Sequence, residues 1–282
     1  MGEMRRYAIY WGCTIRVRYP SVEKAAKIVA DRLGLELVEM DGVTCCPLPE
    51  VFNILLPEAW RVVGSRNISI AEKMGLDIVA ICNGCYETLH KVNVFVKENE
   101  LERDRINKIL SRYGRSFKGN IRVKHMVEVL YNDIGLDKIK ENVVRKLDFN
   151  IAIHPGCKLY ERDEEMPNMF KELVEILGGR IVEYGIERLC CGIPYNYVDR
   201  DKSLRERALV KIKVLEKYNT DVLTTFCPGC MLQYESVQIR YRREISRRIP
   251  VINYMELLAY SFGFDLDEIG IYVHRIPLKM GG

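Results

Sequence analysis

At 282 residues the chain is long enough to bury a substantial core, in one domain or in two. Its 48% hydrophobic and 29% charged residues are ordinary for a soluble globular protein. The net charge of +4 is too small to indicate nucleic-acid binding by itself, although it suits a pocket for anionic small molecules. No apolar run approaches the roughly 18 residues of a membrane-spanning helix, and no apolar signal segment follows Met1. We therefore expect a cytoplasmic protein without a membrane span.

Three apolar runs in the first half predict strands, and each run leads into a cysteine loop. The predicted elements, in chain order, are a strand over 7–10, a loop with Cys13, a helix over 22–33, a strand over 35–40, a loop with Cys45-Cys46, a helix through 68–74, a strand over 76–81 and then Cys82. Ser21 can cap the start of the first helix, and Gly34 and Gly75 can end the two helices.

The second half repeats this order. Its predicted elements are a strand over 149–153, a loop with Cys157, a helix over 165–177, a strand over 181–184, a loop with Cys190-Cys191, a helix over 204–217, a strand over 221–226 and then Cys227. Strands that alternate with helices indicate parallel sheet, which holds its ligands at the carboxyl ends of the strands. We predict an α/β fold of two homologous halves, each a small parallel sheet with flanking helices and cysteine loops at the strand carboxyl ends. The predicted domains are 1–147 and 148–282.

A further similarity closes each half. Residues 123–130 resemble residues 251–258, which predicts a closing strand and helix in both. This offset is 128 residues, so about 17 additional residues lie in the first half, where the stretch 97–118 is rich in charges of both signs. We interpret that stretch as a long solvated helix, with a docking element for a partner protein of a complex as the alternative.

The ten cysteines form two arrays of five, spaced alike, and none is left over. The first array is Cys13, Cys45, Cys46, Cys82 and Cys85, and the second is Cys157, Cys190, Cys191, Cys227 and Cys230. Corresponding members lie 144 or 145 residues apart. In a reducing compartment such cysteines are poor disulfide candidates, and a common register is what ligands of two equivalent metal centres require.

Each array has one cysteine more than a tetrahedral zinc site uses. Iron–sulfur clusters are the other use of clustered thiolates, but the array lacks the run of three closely spaced cysteines typical of bacterial ferredoxins. The spacing therefore predicts metal in each half and leaves zinc and iron open.

The motifs resemble a known family. The repeated order of Cys, Cys-Cys and Cys-x-x-Cys is similar to the cysteine-rich CCG domain, and two complete copies resemble the B subunit of the heterodisulfide reductases of methanogenic archaea. The residues that carry the resemblance are Trp11-Gly12-Cys13, Cys45-Cys46-Pro47, Cys82-Asn83-Gly84-Cys85-Tyr86, His154-Pro155-Gly156-Cys157, Cys190-Cys191-Gly192 and Cys227-Pro228-Gly229-Cys230.

The resemblance implies that each array binds a noncubane 4Fe-4S cluster, which accounts for the fifth cysteine. The substrate would be the mixed disulfide of coenzyme M and coenzyme B (CoM-S-S-CoB), reduced to two thiols in methanogenesis. The chain would be the catalytic subunit of a heterodisulfide reductase complex, together with its ferredoxin-like C subunit and its flavin-containing A subunit. A hydrogenase or a formate dehydrogenase would feed electrons through the flavin-containing protein.

Four other residues are candidates for the site. His154 lies three residues before Cys157, so it could donate a proton to a departing thiolate or a hydrogen bond to a cluster; the alternative is a histidine that only satisfies loop backbone groups. Arg18 and Arg162 occupy the same repeat position and could bind the anionic ends of the coenzymes, as could Lys158; the alternative is a solvated surface residue in each case.

Two other functions stay open from the sequence. One is a related CCG-domain protein that acts on a different disulfide in sulfur metabolism. The other is a zinc-binding assembly module without enzymatic activity. A basic cluster between Arg240 and Arg248 lacks an aromatic platform and any nucleic-acid-binding signature, so we expect no nucleic-acid partner.

Overall fold

The computed structural model describes residues 4–162 and 164–279, which divide into two compact units. The first unit contains residues 4–13 and 34–129, and the second contains residues 14–33 and 130–279. Each unit holds one four-stranded sheet. The predicted α/β fold with two repeated halves is confirmed.

The first sheet is entirely parallel and has the strand order β2-β1-β3-β4. Its strands are β1 Arg5–Tyr10, β2 Leu35–Glu39, β3 Ile78–Ala80 and β4 Val123–His125. Residues 7–10 of β1 and all of β3 are buried. Strands of a parallel sheet that are covered on both faces have such continuous apolar sequences, which explains why short apolar runs located them.

The second sheet repeats the first, again parallel throughout, in the order β6-β5-β7-β8. Its strands are β5 Asn150–Ile153, β6 Arg180–Val182, β7 Val222–Thr225 and β8 Val251–Asn253. The closing strands β4 and β8 each run into a capping box, His125 with Glu128 in one and Asn253 with Glu256 in the other. The two segments that are similar in sequence at an offset of 128 residues thus also have the same structure.

The helices of the first unit follow the cysteine loops. They are α3 Pro49–Leu55, α4 Pro57–Met74, α5 Asn83–Glu98, α6 Glu100–Leu110 and α7 Met126–Glu128, with a 3₁₀ turn at Ser111–Tyr113. The charged stretch 97–118 is not one long helix, because the Asn99 side chain accepts a hydrogen bond from the backbone N–H of Glu102 and starts α6 afresh. Ile106 and Leu110 of α6 are buried.

The chain passes from the first unit to the second within helix α1, Gly12–Arg18. The helices of the second unit are α2 Pro20–Leu33, α8 Leu136–Glu141, α9 Cys157–Arg162, α10 Glu165–Glu175, α11 Arg200–Ser203, α12 Val210–Lys217, α13 Pro228–Arg240, α14 Tyr254–Ser261 and α15 Leu266–Ile269. Wider π-helical turns at Val129–Ile134 and Leu204–Leu209 and 3₁₀ turns at Ile193–Tyr197 and Ile271–Val273 complete it.

Helix α2 belongs to the second unit although it joins two strands of the first sheet. It packs on α14, and its buried face is rich in small side chains, among them Ala25, Ala26 and Ala30. Small residues let two helix backbones approach closely. A domain boundary placed only between 147 and 148 does not describe this arrangement of α2; that boundary stays a prediction.

Among the described residues, no helix combines the length and the apolar character that crossing a bilayer requires.

Candidate metal centres

The five thiols of the first array converge at the carboxyl edge of the first sheet. Parallel strands end at the same edge, and the loops after β1, β2 and β3 carry these cysteines. The Sγ atoms of Cys46 and Cys85 lie 3.1 Å apart. Hydrogen bonds between thiols also join Cys13 to Cys45, Cys45 to Cys46, and Cys82 to Cys85. The array is therefore one connected cluster of sulfur atoms.

The second array repeats this convergence in the second unit. The Sγ atoms of Cys191 and Cys230 lie 3.2 Å apart, and those of Cys157 and Cys190 lie 3.8 Å apart. Hydrogen bonds also join Cys190 to Cys191 and Cys227 to Cys230. The two arrays differ in exposure: Cys13 and Cys45 are exposed, whereas no cysteine of the second array is.

Helix N-termini point at both arrays. Cys82 and Cys227 are the N-cap residues of α5 and α13, so the second cysteine of each Cys-x-x-Cys motif lies in the first helical turn. The partial positive charge of a helix N-terminus stabilises thiolate over thiol. Both arrays are thus placed where several thiolates can be held close together.

The sharing of protons among the thiols shows how crowded each array is. The pKa of Cys46 is lowered to about 5 because Cys45 and Cys85 donate hydrogen bonds to it. The pKa of Cys190 is lowered to about 2 by hydrogen bonds from Cys157 and Cys191. Hydrogen bonding to Cys46 raises the pKa of Cys85 in turn. Only a bound cation could let all five sulfur atoms of an array be thiolates at once.

Gly12 shapes the first array through the absence of a side chain. Its φ is +73°, and an added Cβ would lie 2.6 Å from Cys85 Sγ. The backbone that follows β1 therefore lies too close to Cys85 Sγ for any residue with a side chain to fit without movement. Thiol donors alone, five to an array, with a backbone that leaves them room, fit an iron–sulfur centre better than a four-coordinate zinc ion.

His154 lies in the second array. One of its ring nitrogens and the sulfur atoms of Cys191 and Cys230 are all within 4.8 Å of one another. Its Nδ1 lies 3.1 Å from Nζ of Lys211, and its Nε2 is buried with no hydrogen-bond partner among the described residues. Burial, and then the charge of Lys211, lower the pKa of His154 well below its usual value, so the imidazole is neutral.

Sequence reasoning missed Lys211 and its counterpart in the first unit, Asn67. Asn67 Nδ2 donates to the hydroxyl of Tyr10 over 3.3 Å, and Tyr10 is the residue that matches His154. Both Asn67 and Lys211 are fully buried, in α4 and α12. The signal that could have found them is the repeat itself, since they are 144 residues apart, as Cys13 and Cys157 are.

The predicted anion-binding residues lie in different surroundings. Arg162 is exposed at the end of α9, and Lys158 is buried, with Nζ 2.8 Å from a carboxylate oxygen of Glu161. Arg18 donates to the carbonyl of Val273 over 2.6 Å and lies 3.5 Å from a carboxylate oxygen of Glu235. Their role in binding a substrate stays a prediction.

Arg18 contacts a buried ionic cluster of the second unit. His274 lies between two buried carboxylates, with Nδ1 3.2 Å from Glu235 and Nε2 2.9 Å from Glu256, and the hydroxyl of Tyr19 donates to Glu235 over 2.8 Å. Burial alone would lower the pKa of His274, but Glu256 and Glu235 outweigh it and raise that pKa to about 10. The cluster links Arg18 and Tyr19 to α13, α14 and the C-terminal segment, and we interpret it as structural.

Comparisons with known proteins agree with this geometry. The family model of the cysteine-rich CCG domain matches residues 7–90 and 151–235. The chain is 33% identical over 281 residues to the B subunit of the ferredoxin:CoB-CoM heterodisulfide reductase of Methanosarcina mazei, covering 95% of this chain and 93% of the relative. It is 32% identical over 286 residues to the B subunit of the ferredoxin/F(420)H(2)-dependent CoB-CoM heterodisulfide reductase of Methanosarcina acetivorans, covering 97% and 94%.

A solved structure shares the fold. The crystal structure of a hypothetical protein from Helicobacter pylori matches 98% of this chain with a TM-score of 0.74 at 12% identity, and the chain spans about half, 53%, of that protein. This likeness concerns the fold alone. Two cysteine-rich domains and the identity with heterodisulfide reductase B subunits over nearly the whole length decide the family. The chain belongs to the heterodisulfide reductase B-subunit family of CCG-domain proteins, the iron–sulfur subunits of multisubunit oxidoreductases.

Proposed function

We propose that the chain is the catalytic subunit of a heterodisulfide reductase that converts CoM-S-S-CoB into the two thiols at two noncubane 4Fe-4S clusters, one in each array. The reaction takes up two electrons and two protons as the S–S bond breaks. When bound, the clusters supply the electrons, one at a time. Two complete arrays of five converging thiols are the observation that carries the proposal, because a second working centre meets the demand for a second electron.

The residues around the second array supply the proton chemistry. A Lys211 ammonium can only donate to His154 Nδ1, 3.1 Å away, which leaves the proton of the neutral imidazole on Nε2. Nε2 is buried without a protein partner among the described residues, and one of the two ring nitrogens lies within 4.8 Å of the sulfur atoms of Cys191 and Cys230. We assign His154 the role of passing a proton to a thiolate that leaves the disulfide: Nδ1 takes a proton from the Lys211 ammonium as Nε2 gives up its own, so the imidazole stays neutral.

Arg162 and Lys158 are proposed to bind the anionic ends of the substrate, as guanidinium and ammonium groups bind sulfonate, phosphate and carboxylate. Arg18 is proposed for the same role, for which it would exchange its contacts with Val273 and Glu235. The proposed partners are the ferredoxin-like C subunit, as the immediate electron donor, and the flavin-containing A subunit. A hydrogenase or formate dehydrogenase would supply electrons to the A subunit. A place in the cytoplasm stays a prediction.

Metal analysis joined to a substrate assay tests the proposal. Protein purified without oxygen should contain about eight irons per chain with matching acid-labile sulfide. Its complex should oxidise reduced viologen with CoM-S-S-CoB and much more slowly with cystine. One or two zinc ions with little sulfide would instead identify the assembly module. Full iron with a preference for another disulfide would move the activity to sulfur metabolism.

A further inference from the structure

The two arrays have equivalent ligands but different residues behind them. At the end of β1 the position before the array is Tyr10, and at the end of β5 it is His154. The neighbour of each comes from the helix before the third strand: Asn67 contacts Tyr10, and Lys211 contacts His154. Asn67 and Lys211 both lie eight residues before a residue with positive φ, Gly75 and Asn219. They are therefore equivalent positions occupied by groups of different charge.

The surroundings of Lys211 favour a charged ammonium and so oppose the burial that lowers its pKa to about 8. Its Nζ lies 3.1 Å from His154 Nδ1, 3.0 Å from the carbonyl of Glu187 and 3.4 Å from the hydroxyl of Tyr184. The Tyr184 hydroxyl donates its own proton to the carbonyl of Ile153, so its oxygen can only accept from Lys211. Three acceptors use three N–H donors, and an ammonium has three where a neutral amine has two. The side chain is 0% exposed, so water does not screen this charge.

The charge reaches the second array directly and through His154. The Lys211 ammonium interacts electrostatically with the thiolates of Cys230, Cys191 and Cys190. As a donor to Nδ1 it also leaves the imidazole proton on Nε2, and one ring nitrogen of His154 lies within 4.8 Å of the sulfur atoms of Cys191 and Cys230. A buried positive charge and the N–H of a neighbouring imidazole both favour the more negative, reduced form of an iron–sulfur centre.

The first array has neither feature at the equivalent positions. Asn67 is neutral, and its carbonyl accepts from the backbone N–H of Thr44 at 3.0 Å. The Tyr10 hydroxyl donates to the carbonyl of Thr44 and so directs its proton at the backbone. The two arrays thus have equivalent cysteine ligands but different residues behind them.

We propose that Lys211, acting directly and through His154, raises the reduction potential of the iron–sulfur centre in the second array. Lys211 is a positioning and charge-setting residue and touches no substrate. The inference rests on the iron–sulfur occupancy in the proposed function and is independent of which disulfide is reduced.

Solvent acts in the opposite direction at the first array. Cys13 and Cys45 are exposed, and water stabilises a reduced cluster. A comparison between the two centres would mix this effect with that of Lys211. The decisive comparison is therefore within the second centre, between the natural chain and a variant that keeps the shape of Lys211 but removes its charge.

The experiment is an anaerobic redox titration of the holo complex followed by electron paramagnetic resonance. Lys211→Gln retains two N–H donors and loses the charge, so at a fixed potential it should lower the ratio of reduced to oxidised second centre about tenfold, or 59 mV for a one-electron couple. Lys211→Met should shift it in the same direction, and Lys211→Arg should keep the natural potential. The matched control is Lys213→Met, which removes an equal charge from α12 at an exposed position paired with Glu244.

The outcomes separate the two proposals. Iron in both arrays with unchanged potentials in Lys211→Gln and Lys211→Met overturns the role of Lys211 and leaves the proposed function intact. An equal shift of the potential of the second centre in Lys213→Met also overturns the role of Lys211, because the loss of any positive charge from α12 would then have the same effect. Loss of iron from both neutral variants would assign the ammonium to assembly of the centre and overturn the tuning role. Absence of iron from the natural chain defeats both proposals.

Discussion

Gly12→Ala should empty the first array and leave the second loaded. At φ of +73° a residue with a side chain costs about 1–2 kcal/mol. The larger effect is steric, because the new Cβ would lie 2.6 Å from Cys85 Sγ. Atoms in contact stay about 3.5–4.0 Å apart, so the sulfur or the end of β1 must move by about 1 Å. Ligand distances at metal sites are held to about 0.2 Å, and a movement several times that size removes Cys85 from the centre.

The assay is the iron and acid-labile sulfide content of the anaerobically purified chain. Gly12→Ala should lose about half of both, together with the spectroscopic signal of one centre. Gly75→Ala is the matched control: Gly75 has φ of +68° in the same unit, but a Cβ there meets nothing within 4 Å, so it carries the backbone cost without the collision. Equal iron in the two variants would refute the reasoning, since backbone strain alone would then explain whatever is lost.

Two further predictions concern the paired centres and the ionic cluster. Cys46→Ser and Cys191→Ser change the same array position in opposite halves. Each variant should lose nearly all disulfide reduction, although the untouched centre still assembles. Near-normal turnover in a folded variant with one centre would contradict a two-centre reaction. His274→Gln should destabilise the fold by about 3–5 kcal/mol at pH 7, because it removes the positive charge that lies between two buried carboxylates. The folded-state pKa of His274 is raised to about 10, so its contribution is complete below about pH 6.5 and is lost as pH rises towards 10. The gap in thermal midpoint between natural and variant chains should thus narrow from pH 7 to pH 9.5, and a gap that is constant with pH would remove the ionic interpretation.

The sequence predicts the part of this structure that depends on order along the chain. Apolar runs before cysteine loops locate β1, β3, β5 and β7, because parallel strands buried on both faces leave no polar alternation to blur them. Parallel strands end at a common edge, so the approach of the cysteine loops to one another follows from the same reasoning.

What the sequence does not predict depends on which surface a segment packs against. Helix α2 has an apolar stripe that any sheet or helix could cover, and its packing on α14 in the second unit is a tertiary choice. Lys211 is harder still, since a lysine in a charged helix is normally solvated. Only its three acceptors, two of them supplied by the segment 184–187, make a buried ammonium stable there.

The position of Lys211 shows how a duplicated fold can place different residues behind identical ligands. A sulfur ligand must stay at the strand end that places it, since moving it destroys the centre, so the two arrays keep the same five cysteines. Residues that lie behind the ligands and do not bind the metal act only through charge and hydrogen bonds, so they can differ without loss of the metal. On the proposed function, a disulfide requires two electrons whereas each centre passes one, and two identical centres would give no order to their delivery. Neutral Asn67 behind one array and charged Lys211 behind the other make the two arrays different with the ligands unchanged.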